Sequence, residues 1–163
     1  MIKSAGLIII TQLPSCKGNV AILHRRGILN EKLTPQSWPG GYQVTATGKI
    51  ETGETSDNAL ERETVEELGK EFSLSIPSEM MRVFRSDIRI IYAVWISPEN
   101  LPQVSLSLAS GGLVPITRKM IPQIKNLLMF DKKKGVQDGN VIAMFPDEKE
   151  ALKWAFNRIS IPR

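Results

Sequence analysis

The chain has 163 residues, a formal net charge of +4, 42% hydrophobic residues and 23% charged ones. That length builds one substantial core rather than two comfortable domains, and the composition is that of a soluble globular protein, excluding a disordered or fibrous chain. The mild positive charge suits an anionic small molecule but, without basic stretches interleaved with aromatics, gives no footing for nucleic acid, and no apolar run approaches the roughly 20 residues that span a bilayer as a helix.

In chain order, the runs AGLIIITQL near the start and NVAILHRR at 19–26 are rich in β-branched residues and separated by PSCKG, which predicts two strands joined by a short loop. Residues 27–41, GILNEKLTPQSWPGG, are punctuated by prolines and glycines and predict an irregular loop. YQVTATGKI at 42–50 alternates as one half-buried strand, and ETGET turns tightly into a helix. That helix can start at Thr55, Ser56 or Asp57, each an acceptable N-cap, and Gly69 is a natural terminator. On a helical wheel Leu60, Thr64, Val65 and Leu68 share the core side, while Glu63, Glu66 and Glu67 fan outward from its edge to line a cleft.

MRVFRSD and IRIIYAVWI predict two further strands, the second apolar enough to be central. SPENLP is a turn, VSLSLASGGLVP is ambiguous, and TRKMIPQIKNLLMF reads as a helix with Pro122 in its first turn. DKKKGVQDGN is a polar loop. MFPDEKEALKWAFNRI predicts a closing amphipathic helix with Pro146 near its start and Leu152, Phe156 and Ile159 on the buried side. The single cysteine, Cys16, cannot pair within the chain, and the apolar run Leu7–Ile10 is too short for a signal core, so the cytoplasm is the default compartment.

The segment Gly48–Lys70, GKIETGETSDNALERETVEELGK, carries the chemistry. Glu63, Glu66 and Glu67 lie three and four positions apart on one helix, where like charges cost about 0.2–0.5 kcal/mol per pair. A divalent cation is the simplest compensation. Gly48, Glu54, Arg62, Glu63, Glu66, Glu67 and Gly69 stand in register with the pattern G-x5-E-x7-R-E-U-x-E-E-x-G-U, where U is a bulky aliphatic, and the segment thus resembles the Nudix box. Thr64 and Lys70 occupy the two U positions. Thr64 is close to valine in shape and can bond its hydroxyl to the carbonyl one turn back, and Lys70 follows the negative helix end, so neither departure touches the acids.

The resemblance implies a single Nudix hydrolase domain over residues 1–163, an α/β/α sandwich around a mixed sheet. It also implies hydrolysis of a diphosphate in a nucleoside diphosphate linked to another moiety, with Mg²⁺ or Mn²⁺ as cofactor. Glu63 and Glu67 would be the main metal ligands, joined by Glu66 and the Gly48 carbonyl. Arg62 would orient a glutamate, and Glu54 would support the turn or reach the metal through water. The general base would be a box glutamate or a loop acid such as Asp87 or Glu99.

Other residues divide between function and packing. Arg25 and Arg26 alternate faces of a strand, so at most one points at a substrate phosphate. Trp38, Tyr42 and Trp95 could stack on a base, but for each taken alone a core or loop-anchoring role is the preferred reading. His24, without a second histidine, is a packing or hydrogen-bonding residue, and Glu61 and Glu71 belong to a solvated face. Two other functions fit the same resemblance. An isopentenyl-diphosphate-isomerase-like enzyme shares the lead-in Trp38-Pro39-Gly40 but needs a cysteine before the glycine, where residues 42–47 read Tyr-Gln-Val-Thr-Ala-Thr. A non-catalytic nucleotide sensor would be expected to lose signature acids, and none is lost.

Overall fold

The computed structural model describes residues 1–159. Strand β1 (Ser4–Thr11) pairs antiparallel with β2 (Val20–Arg26) and parallel with β6 (Arg89–Trp95), which in turn pairs antiparallel with β5 (Met81–Arg85). With β7 (Ser110–Thr117) antiparallel on β2, the result is a mixed sheet in which β6 is interior, as its nearly continuous apolar run requires.

Alternation along β1 sends its side chains to opposite faces. Ala5, Leu7 and Ile9 pack with Leu60, Leu68 and Phe72 of helices α1 (Ser56–Leu68) and α2 (Lys70–Leu74). Ile8 and Ile10 pack with Ala151, Leu152 and Ala155 of α3 (Pro146–Arg158). Two cores back to back across one sheet make an α/β/α sandwich. No helix among the described residues is long and apolar enough to cross a membrane.

The expected strand over 42–50 is divided. Strand β3 (Tyr42–Gln43) pairs with β2, whereas β4 (Ala46–Lys49) pairs with the first half of β1. The backbone groups orphaned at this change of partner are met by side chains, as burial demands. The Thr45 hydroxyl accepts from the Ile9 N–H at 2.9 Å and donates to the Ile22 carbonyl, and the Val44 N–H donates to Glu148 Oε1 at 2.8 Å. The alternating pattern runs unbroken through the division, so it cannot be read from residues 42–50 alone.

The segment read as a helix around Pro122 is not one. It forms a 3₁₀ turn (Arg118–Gln123), the short strand β8 (Lys125–Asn126), which pairs with β9 (Ala143–Met144), and another 3₁₀ turn (Leu127–Met129). Pro122 lies inside the first turn, where its missing N–H and its ring oppose continuation as an α-helix. Ile121, Ile124 and Leu127 are all buried at a spacing of three, and that spacing mimics helical periodicity. The ambiguous stretch supplies β7, and SPENLP opens a 3₁₀ turn (Pro98–Gln103).

Helix α1 begins as expected, with the Thr55 side chain accepting from the Asn58 N–H, and ends at Gly69, whose φ of 94° favours glycine. Lys70 then opens α2 instead of trailing off past the helix end. The wheel needs one correction. Val65 is 38% exposed, while Glu63 and Glu67 are only 7% and 9% exposed. The helix is rotated towards β4, so two of the three acids are tucked under the sheet edge instead of fanning outward.

Candidate active site

A cleft of about 730 Å³ opens between the β2–β3 loop, the end of β4 and the acid side of α1. Its organising cation is Arg62. The guanidinium grips Glu54 through Nε and Nη2 at 3.0 and 2.9 Å, and Nη2 also donates to the Lys49 carbonyl at 2.9 Å. From Nη1 it reaches Glu63 Oε1 at 2.8 Å and Glu66 Oε2 at 3.5 Å. One arginine thereby ties the turn to the helix and partly offsets the repulsion among the acids. Glu54 is held below the usual carboxylate range by the Arg62 bond, with a further contribution from the Glu51 N–H.

The two inner acids shift the other way from Glu54. Burial pushes Glu63 up to about 7 against the pull of Arg62, and burial raises Glu67 well above the usual range although the Thr47 N–H donates to its Oε2 at 3.0 Å. Gly48 is where it is for contact: a Cβ there would overlap the Glu63 carboxyl group. The Glu63 carboxylate therefore lies against bare backbone at Gly48, and with the carboxylates of Glu66 and Glu67 lining the same cleft it gives a set of hard oxygen donors that fits a divalent cation. Thr64, at one departure from the signature, bonds its hydroxyl to the Leu60 carbonyl at 2.7 Å.

These shifts have a consequence for stability. In the folded state Glu63 keeps its proton up to about pH 7, while in the unfolded chain it releases it near the ordinary 4.5. The native state binds more protons across that interval, so this group's contribution to stability falls as pH rises through it. We expect calorimetry in chelator to show the melting temperature of wild type dropping relative to Glu63→Gln between those pH values. Added Mg²⁺ should reverse the trend for wild type, because a cation requires the ionised carboxylate.

Of the residues expected to meet substrate, Arg25 and Arg26 both line the cleft, but their roles differ. Arg26 donates to the Ser37 carbonyl at 2.9 Å, to Gln43 Oε1 at 2.9 Å and to Gln36 Oε1 at 3.1 Å, so it braces the loop. Arg25 makes no ion pair among the described residues. Trp38 and Tyr42 do not line the cleft. Tyr42 is buried in the core shared with α3. Trp38 donates to the Phe130 carbonyl at 3.1 Å and packs edge-on against Phe145, which itself lines the cleft. Asp87 and Glu99 are not among the lining residues either.

Sequence reasoning missed three residues of this site, Glu31, Glu148 and Arg89. Glu31, from the β2–β3 loop, brings a carboxylate oxygen within 4.8 Å of oxygens on Glu63 and Glu66. Buried Glu148 pairs with partly exposed Arg89 at 3.3 Å, and Arg89 Nη2 donates to the Thr47 hydroxyl at 2.9 Å, next to the amide that holds Glu67. Burial raises Glu148, with Arg89 opposing. His24 reaches the cleft while bonded to the Thr45 carbonyl at 3.1 Å and the Ser110 hydroxyl at 2.6 Å, a hydrogen-bonding role as expected, and burial lowers it.

No protein-family model matches the sequence, and no curated protein matches it either. Solved structures do match. A mutT/nudix family protein from Listeria innocua superposes with a TM-score of 0.53 at 18% identity, over 73% of this chain and 80% of that one. A MutT/nudix family protein from Enterococcus faecalis gives 0.59 at 17% identity over 95% of this chain, which spans only 60% of that protein. DR0079 from Deinococcus radiodurans gives 0.52 at 14% identity, over 81% of this chain and 75% of that one. The mixed sheet between two helical layers, with the acid-bearing helix against β4, is thus the fold of the MutT/Nudix proteins.

Proposed function

We propose that this chain is a pyrophosphohydrolase that cleaves the diphosphate of a nucleoside diphosphate linked to another moiety, using Mg²⁺ or Mn²⁺. The observation that carries it is that Glu63, Glu66, Glu67 and Gly48 all line one cleft of a MutT/Nudix fold, with Arg62 bound to Glu63 and close to Glu66. Those four groups would hold the cation. When bound, such an ion neutralises charge on phosphate oxygens and lowers the pKa of an attacking water.

The chain's own residues do the rest. Arg62 fixes the carboxylates before substrate arrives, so little reorganisation is left to the reaction itself. Arg25 is the cleft arginine free to meet a phosphate, whereas Arg26 holds the loop that shapes the entrance. The neutral polar wall of Gln36, Gln43, Asn30 and Ser110 offers hydrogen bonds suited to a nucleoside rather than to a bare alkyl chain. No cysteine lines this cleft; Cys16 packs at the edge of the α1-side core.

The test is a panel of nucleoside-linked diphosphates, with isopentenyl diphosphate included, assayed for phosphate release and for products in Mg²⁺ and in EDTA. At least one nucleoside compound should be hydrolysed in Mg²⁺ and none in EDTA, with the rate rising towards alkaline pH as the attacking water is more readily deprotonated. Undiminished turnover in chelator, or appearance of the allylic isomer of isopentenyl diphosphate, would overturn the assignment.

A further inference from the structure

The loop between β2 and β3 is closed on itself. The Asn30 N–H donates to the Thr34 carbonyl at 2.8 Å, the Leu33 N–H to the Asn30 carbonyl at 2.9 Å and the Gln36 N–H to the Ile28 carbonyl at 2.9 Å, and Leu29 bridges Pro35. The Asn30 side-chain oxygen accepts from the Lys32 and Thr34 amides at 3.0 and 3.1 Å. At its base the loop is held by Arg26 through Ser37 and Gln36. Glu31 sits at the tip.

The Glu31 carboxylate makes no hydrogen bond or ion pair among the described residues, and the attraction it feels comes from Arg62 across the cleft. The tip places this carboxylate within 4.8 Å of Glu63 and Glu66, three like charges contributed by two separate segments. Arg62, the cation at hand, is already shared among Glu54, Glu63 and Glu66. A hard divalent cation takes about six oxygen ligands or more, and the box carboxylates and Gly48 come from α1 and β4, one side of the cleft. From the β2–β3 loop, Glu31 is the carboxylate brought within 4.8 Å of oxygens on Glu63 and Glu66.

We propose that Glu31 is a further ligand of the cation held by Glu63, Glu66 and Glu67, so that binding the ion fastens the 28–36 loop against α1. The inference rests on the reading of this cleft as a divalent-cation centre. Because Asn30, Lys32 and Gln36 of the same loop line the cleft, occupancy by the ion and order in the substrate-facing wall become one equilibrium, and each favours the other.

Two measurements test it without reference to turnover. Titration of Mn²⁺ into purified protein, followed by the paramagnetic resonance of the free ion, should give a Kd at least about fivefold weaker for Glu31→Gln than for wild type. Glu61→Gln removes the same charge from α1 on the side away from the cleft and should stay within about twofold of wild type, which separates ligation from diffuse electrostatics. Second, Mg²⁺ should slow amide exchange at Asn30, Leu33 and Gln36 in wild type and leave it unchanged in Glu31→Gln. Equal affinity in wild type and Glu31→Gln, an equal loss in Glu61→Gln, or loop exchange indifferent to Mg²⁺ in wild type would overturn the assignment of Glu31 while leaving the cation centre standing. A wild-type protein that does not bind Mn²⁺ would overturn both.

Discussion

Glu67→Gln is expected to lower turnover by at least about a hundredfold, equivalent to about 2.7 kcal/mol of lost transition-state stabilisation, while leaving the fold intact. The fold survives because the Thr47 N–H can donate to a glutamine amide oxygen as it does to Glu67 Oε2. The stability of the metal-free variant should match or exceed wild type, for a reason that fixes the pH at which to look. Burial raises the folded pKa of Glu67 well above the ordinary 4.5, so the unfolded chain of wild type gains by ionising wherever the pH exceeds that value. Glutamine has no proton to release. In EDTA the two proteins should therefore melt together near pH 4 and diverge in favour of the variant as pH rises. Mg²⁺ should invert the order at pH 8, since only wild type offers the full ligand set to the ion. A variant that melts well below wild type in EDTA, or that keeps near-normal turnover, would mark Glu67 as a structural carboxylate.

The parts of this site that were legible in the sequence are those made by short-range geometry. Spacings within one turn and one helix bring Glu54, Arg62, Glu63 and Glu66 together whatever the rest of the chain does, and the Thr55 cap and the Thr64 back-bond are local in the same sense. The opposite wall is assembled from distant segments. Glu148 lies 104 positions from the amide it satisfies, and in the sequence it is simply an acid in the first turn of a helix, where the helix dipole already explains it. Arg89 opens a strand, and Glu31 sits in a loop whose closure depends on Asn30 and Arg26. The aromatics were open to two roles for a related reason. Trp38 and Tyr42 are equally suited to stacking on a base or on protein, and only the tertiary positions of Phe145 and the α3-side core decide between them.

Gly48→Ala tests how the site is held rather than which groups compose it. A methyl group at this position would overlap the Glu63 carboxyl, and the atoms it meets are the far end of a flexible side chain, not backbone. Gly48 pairs with Ala5 inside the β1–β4 ladder, and alanine suits a strand at least as well as glycine, so the fold should yield little: a melting temperature within a few degrees of wild type. The displacement falls on Glu63, which must swing away from Arg62 Nη1 and from the Gly48 backbone, leaving the cation one ligand short. Turnover should fall by about tenfold to a hundredfold, with weaker Mn²⁺ binding. Because the substitution acts through Glu63, its effect should vanish in a Glu63→Ala background, so that the double variant is no worse than Glu63→Ala alone. Additive losses would show that Gly48 serves the site by another route, and near-normal turnover in Gly48→Ala would show that Glu63 can leave its cradle without consequence.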